Sequence, residues 1–298
     1  MNEKDLENYW KIRNGEVGFY KQKRGLIEVS GKEAVQFLNG LITNDVAKLE
    51  ENSAMLAAFP NAQGRLLAVV RVLKKDGKFL FETEEKTHEK VYNNLFRFTF
   101  AGDFFVEDLS EKYEYVSISN SKFQIPDSIE FEMNFGKDIF VPKENAGNFE
   151  SELKSQNAVE ISVELYEVLR IENGIPLYGV DMDESTIVPE LGIDGLISYN
   201  KGCYIGQEII ARIYFRGHVA KQLRGLIIED EAAEISLENE LKSPEGKNAG
   251  KITSFTFSPK LNKYIALSFV RYEFLATDTE LFLNDRRAKV KQLPFIEL

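Results

Sequence analysis

One cysteine, two histidines and one tryptophan are all that this 298-residue chain has of those residue types. A single thiol, Cys203, excludes an intramolecular disulfide and any site built on several cysteines, including an iron–sulfur cluster held by four thiolates of its own. His88 and His218 stand far apart in sequence and lack the spacing of a metal-ligating pair, so no resident metal is expected. No apolar run approaches the ~18 residues that a membrane-crossing helix needs. The opening MNEKDLENYW is acidic and polar, without the basic-then-apolar order of a secretory signal. A cytoplasmic location with no membrane attachment is the expectation. Basic residues are outnumbered too: 37 Lys and Arg face 48 Asp and Glu, for a formal net charge of −11. That balance excludes a broad polyanion-binding face, and direct nucleic-acid binding is not expected. There is no internal repeat, low-complexity linker or coiled-coil pattern, so the expected state is a monomer.

What is present has the balance of an ordinary globular protein, 43% hydrophobic and 29% charged, on a chain long enough for two or three domains. Ser30-Gly31-Lys32-Glu33 reads as a capping box ahead of a helix carrying Ala34, Phe37, Leu38 and Leu41 on one face. Strands are predicted at Ala54–Phe59 and Arg65–Leu73, joined by the turn Pro60-Asn61-Ala62-Gln63-Gly64. Lys75-Asp76-Gly77-Lys78 makes a hairpin into Phe79–Glu82. A helix over Glu84–Phe98 follows. Strands come next at Phe104–Leu109, Tyr113–Ser119, Ile129–Asn134 and Asp138–Val141, then helices from about Asn145 and over Val163–Glu172. Beyond Arg216-Gly217, five short strands between Gly, Pro and Asn turns predict a small all-β module. The fold class is α+β with a β-rich tail.

Three stretches carry chemistry. Lys201-Gly202-Cys203-Tyr204-Ile205-Gly206-Gln207-Glu208 precedes a predicted helix, Ile209–Phe215. A helix N-terminus and the Lys201 ammonium would both favour thiolate at Cys203, and the glycines would allow close approach to a ligand. A small thiol that only packs is the alternative. Arg170–Asp181 sets charged residues among glycines and a proline after a helix that Gly174 is placed to end. Glu172 could accept the paired N–H donors of a heterocycle; a solvated helix end is the alternative. Arg212, Arg216, Lys221 and Arg224 form a basic run that suits an anionic ligand or serves only solubility.

Taken together, these stretches resemble one family. KGCYIGQE (Lys201–Glu208) resembles the signature of the YgfZ-type folate-binding proteins. SGKEAVQFLNGLITNDV (Ser30–Val46) is similar to the N-terminal helix and TND turn of that family and of the glycine-cleavage T-protein, an aminomethyltransferase. Arg170–Asp181 resembles the RxExGxPxxGxD stretch of both, and Gly250–Val270 the C-terminal barrel of both. The resemblance implies a three-domain, T-protein-like arrangement around a central folate cleft. Its domains would be 1–48 with 113–219, an inserted 49–112, and a barrel at 220–298. It further implies tetrahydrofolate or a one-carbon derivative as cofactor, with Glu172 holding the pterin. Lys201 would lie near the folate or its glutamate tail, Asn44 and Asp45 would border the cleft, and Arg216 would join the binding set. Cys203 and Lys201 would be the reactive pair.

One departure separates the branches. T-proteins carry paired aspartates where this chain has Gln63-Gly64-Arg65-Leu66-Leu67-Ala68-Val69, a stretch without a carboxylate, and they lack the cysteine of KGCYIGQE. The implied role is a tetrahydrofolate-binding factor for assembling or maintaining iron–sulfur clusters in client enzymes, including tRNA-modifying ones. Within that role, one-carbon transfer at Cys203 and a non-catalytic client-binding scaffold are both open. Aminomethyl transfer in glycine cleavage is the rival.

Overall fold

Apolar side chains recur at every second position of the longer strands, and the structure buries them accordingly. In Leu66–Lys75, Leu66, Ala68, Val70 and Val72 are buried while Leu67, Val69 and Arg71 are half-buried, the period-two signature of a strand with one face on a core. The computed structural model describes residues 1–120, 125–133, 136–229, 240–284 and 286–296. The chain runs α1 (Glu3–Arg13), β1 (Gly18–Lys21), β2 (Arg24–Ser30), α2 (Ala34–Leu41), β3 (Ala54–Pro60), β4 (Leu66–Lys75), β5 (Lys78–Glu84), α3 (Glu85–Phe96), β6 (Phe105–Asp108) and β7 (Tyr113–Ser119). There follow β8 (Ile129–Met133), β9 (Gly136–Pro142), α4 (Ala146–Ser155), β10 (Val159–Glu160), α5 (Val163–Glu172) and α6 (Gln207–Arg216). Last come β11 (Lys221–Ile228), β12 (Glu240–Lys242), β13 (Asn248–Ser258), β14 (Lys263–Arg271), β15 (Glu280–Leu283) and β16 (Arg286–Lys291).

Two compact units emerge. The first comprises Glu7–Ile161 and Ile193–Ala211. It holds two five-stranded sheets, ordered β10-β1-β7-β9-β8 and β3-β4-β5-β2-β6. Helices α2 and α3 cover the second sheet, where Leu38, Leu41, Val91 and Leu95 pack with Val70, Val72, Phe79 and Phe81. Helix α4 covers the first through Phe149 and Leu153. The sheets meet through Leu26, Leu73, Leu80, Tyr115, Phe131 and Phe140. An ionic group lies in the same layer. Arg71 binds Glu82 at 2.9 Å and Asp138 at 2.5 Å and donates to Tyr115, while Arg24 binds Glu82 at 3.0 Å. Burial pushes the Glu82 carboxyl up, but the two guanidiniums outweigh it and hold the group below the ordinary carboxylate value.

The Lys75–Lys78 hairpin forms as expected, with Asp76 and Gly77 both at positive φ (53° and 74°) in a two-residue turn. The capping box does not form. Ser30 ends β2 opposite Phe105, and the Glu33 carboxylate accepts from the Asp103 amide at 2.6 Å instead of capping α2. Gly31 (φ 112°) makes that approach possible, since a Cβ there would stand 2.2 Å from the Asp103 carbonyl oxygen. Residues on both sides of the expected boundary at 48/49 share one sheet and one core: β2 and α2 side with β3 to β6. Asn134, the expected end of β8, lies outside the described residues.

The second unit comprises Met1–Leu6, Ser162–Gly192 and Arg212–Leu298. Its strands close as a barrel, β11-β14-β13-β12-β15-β16, with β16 returning to β11, so the ring leaves no open edge. Leu226, Leu241, Ile252, Val270, Leu281 and Val290 fill its interior. Patterning supplied five of these strands; the sixth, β12, is three residues long and carries too little pattern to read. Helix α5 is capped by the Ser162 hydroxyl, which accepts from the Leu165 amide, and it ends at Gly174 with φ 67°.

Candidate functional site

The TND turn and the loop leading into KGCY are 150 residues apart in sequence and meet in the first unit along a seam of hydrogen bonds. Thr43, wholly buried, donates its hydroxyl to Leu196 O at 2.7 Å and accepts from the Ala58 amide. The Ser198 amide donates to Thr43 O. Asn44 Nδ2 donates to Leu56 O and to Gly195 O, at 2.8 and 2.7 Å, while its Oδ1 accepts from the Asp45 amide. Lys201 Nζ donates to Ile42 O at 2.8 Å and Asn44 O at 2.7 Å. The Ile205 amide donates to Gly40 O. Asn39 braces the far side, giving Nδ2 to Asp45 and taking the Val46 amide. Of the expected site residues, the fold thus brings Asn44, Asp45 and Lys201 together, with Cys203 exposed on the same loop.

Electrostatics follow from this packing. Burial lowers Lys201 from the usual lysine value to about 8, with the Asp45 charge pulling the other way. The Tyr204 ring lies 5.0 Å from Nζ, and burial pushes its hydroxyl up to about 12. Partial burial acts to raise Asp45, but Asn39, the Ala47 amide and Lys48 outweigh it and leave the carboxyl below its ordinary value.

Two expectations for the cysteine loop are corrected. The Lys201 ammonium is turned to the two carbonyls and is not left free to act on the thiol, and α6 starts at Gln207, ahead of the expected Ile209, with Cys203 just before it. Gly206 serves the fold rather than a ligand: at φ 79° its backbone passes the Asn61 carbonyl so closely that a Cβ would stand 2.4 Å from the oxygen. Around Gly202 the space is open.

Arg170–Asp181 belongs to the second unit, and its charged residues Arg170, Glu172 and Asp181 are buried. Arg170, 1% exposed, uses all five N–H groups: Nε and Nη2 grip Glu167, Nη1 reaches Ile175 O and Asp181, and Nη2 also reaches Ser254. Asp181 accepts from Arg170, the Leu177 amide, Thr253 and Ser254. Glu172 is fully buried and takes the Ser258 hydroxyl at 2.5 Å. These bonds fasten α5 to β13, so the solvated-helix-end alternative is excluded. Arg216 is exposed at the last position of α6, where a cation suits the negative end of a helix. Sequence reasoning missed Asn39, Thr43, Gly195, Leu196 and Ser198. Asn39 and Thr43 lie within the quoted Ser30–Val46 motif and Asp194-Gly195 is a turn dipeptide, but their pairing joins residues remote in sequence.

Residues 1–121 match the GCVT N-terminal domain family, and residues 221–296 the glycine cleavage T-protein C-terminal barrel domain. The chain belongs to the glycine-cleavage T-protein superfamily. Among relatives, the iron-sulfur cluster assembly factor IBA57 homolog, mitochondrial, of Mycosarcoma maydis is 26% identical over 67% of this chain and 54% of its own length. The aminomethyltransferase of Thermotoga maritima is 28% identical over 89% of this chain and 81% of that protein. The crystal structure of glycine cleavage system aminomethyltransferase T from Bartonella henselae superposes with a TM-score of 0.85 at 18% identity, covering 98% of this chain and 90% of that one, and shows the shared fold. No helix is long and apolar enough to cross a membrane among the described residues.

Proposed function

We propose that this superfamily member is a tetrahydrofolate-binding factor that supports assembly or maintenance of iron–sulfur clusters in other enzymes, tRNA-modifying ones included. The observation that carries the reading is the exposed Cys203 on a loop fastened to the TND turn by charged and neutral hydrogen bonds. A thiol placed in solvent on a braced loop is suited to meeting a thiolate-ligated centre or thiol of a client. The likeness to an iron–sulfur cluster assembly factor supports the same reading. Tetrahydrofolate is proposed on superfamily membership, with Asn44, Asp45 and Lys201 shaping the approach within the first unit.

Aminomethyl transfer is the second reading, favoured by aminomethyltransferase relatives that match 89–95% of this chain. Against it stands the Gln63–Val69 stretch, which offers no carboxylate to organise proton movement at the folate nitrogen. Anaerobic calorimetric titration with tetrahydrofolate tests the ligand: saturable binding is expected, and none would contradict the folate half of the reading. Folate turnover with an aminomethyl-lipoyl carrier separates the second reading, since only an aminomethyltransferase would show it.

A further inference from the structure

The resemblance makes Lys201 a reactive partner of Cys203, yet its head is spent on main-chain carbonyls. Ile42 follows the last residue of α2, where carbonyls lack helical partners, and Asn44 lies two residues on. A cation donating to both satisfies orphan acceptors and meets the negative end of the helix. The ammonium brings three N–H donors on a long stem, so it can give each carbonyl a proton of its own. Asn44 is similarly committed, with both Nδ2 protons and Oδ1 engaged within the protein. The turn that the resemblance assigns to ligand binding is therefore held by side chains, one of them charged and drawn from the cysteine loop.

We propose that Lys201 is a positioning residue: its ammonium fixes the Thr43–Asp45 turn to the loop that carries Cys203, and it acts on a bound ligand through that turn rather than by touching it. The fastening itself stands on geometry, and only the affinity readout below rests on the folate reading. Among the described residues, one charged group and one ring face Nζ. Asp45 acts from the turn and the Tyr204 ring packs from the loop. Met keeps the packing of the stem and has no donor, and Gln keeps an uncharged donor on a stem one atom shorter, so the first removes the two bonds and the second at least their charge assistance.

Hydrogen exchange read by mass spectrometry, with tetrahydrofolate calorimetry in parallel, tests the proposal on Lys201→Met, Lys201→Gln and Lys201→Arg in the full chain. In Lys201→Met and Lys201→Gln, exchange at the Asp45, Val46 and Ala47 amides is expected to accelerate on the order of tenfold or more. Strand β4 serves as the internal reference and should exchange as in wild type; a variant in which β4 also opens is set aside for the other. Lys201→Arg should restore most of the protection, and tetrahydrofolate affinity should fall and recover in step with it. Wild-type exchange rates in Met and Gln variants whose β4 is intact would overturn the proposal. So would an Arg variant with the turn protected but affinity still lost, because the ammonium would then touch the ligand itself. A wild type that binds no tetrahydrofolate sinks the folate reading alone, and the exchange arm still decides the fastening.

Discussion

Arg170–Asp181 and Lys201–Glu208 carry the same kind of residue, charged groups set among glycines, and they fold to opposite ends. The first is sealed: every donor of Arg170 and both oxygens of Asp181 are engaged. The second stays at the surface, with an exposed thiol, a half-buried lysine and a glycine in open space. Both hold two segments of chain together, but only the cysteine loop leaves a reactive atom over. Charge and glycine in a motif therefore do not tell a ligand site from a fastening. What tells them apart is whether the donors and acceptors cancel inside the protein.

The largest break in that comparison is expected in the sealed stretch. Arg170→Met leaves Asp181 buried without its cation and should cost about 3–5 kcal/mol, read as a lower midpoint in urea unfolding. Gly206→Ala comes next: its Cβ meets the Asn61 carbonyl at 2.4 Å on a backbone with φ 79°, a loss of about 2 kcal/mol by thermal melting. Asn44→Ala removes two side-chain bonds of the seam and should cost about 1–2 kcal/mol, with exchange rising in the Thr43–Asp45 turn.

A pH series sharpens the contrast. Lys201 falls from 10.5 to about 8 on folding, so between those values the folded chain holds fewer protons than the unfolded one. The stability of the wild type relative to Lys201→Met should therefore rise as pH goes from about 8 towards 10.5, and stay flat below 8, where both states keep the proton. Urea midpoints at intervals from pH 7 to 10 check the sign. Smallest of all, Cys203→Ser should change stability by less than about 0.5 kcal/mol, since the side chain is exposed.

Much of the architecture was legible from local pattern. Helix α5 and strand β7 occupy the predicted Val163–Glu172 and Tyr113–Ser119, and the hairpin at Asp76-Gly77 is where its dipeptide puts it. Failures came where tertiary claims override local chemistry. Ser30 and Glu33 have the spacing of a capping box, but β6 approaches closely enough to take Glu33 for the Asp103 amide. Strands β1 and β10 are too short to carry a period, and their parallel pairing joins positions far apart in the chain. At the site, sequence picked out Asn44, Asp45, Lys201 and Cys203, but not that Lys201 faces carbonyls, nor that Thr43 and Leu196 bond. Those facts depend on a meeting across 150 residues, to which no window of sequence is sensitive.

The most direct test of the central claim, that the cysteine loop rather than the sealed stretch is the working surface, is the activity of iron–sulfur enzymes in cells whose only copy of this protein is Cys203→Ser. The account predicts that cluster-dependent activities fall while the variant accumulates to wild-type abundance. Full activity in those cells would contradict it and leave Cys203 without a part in the function.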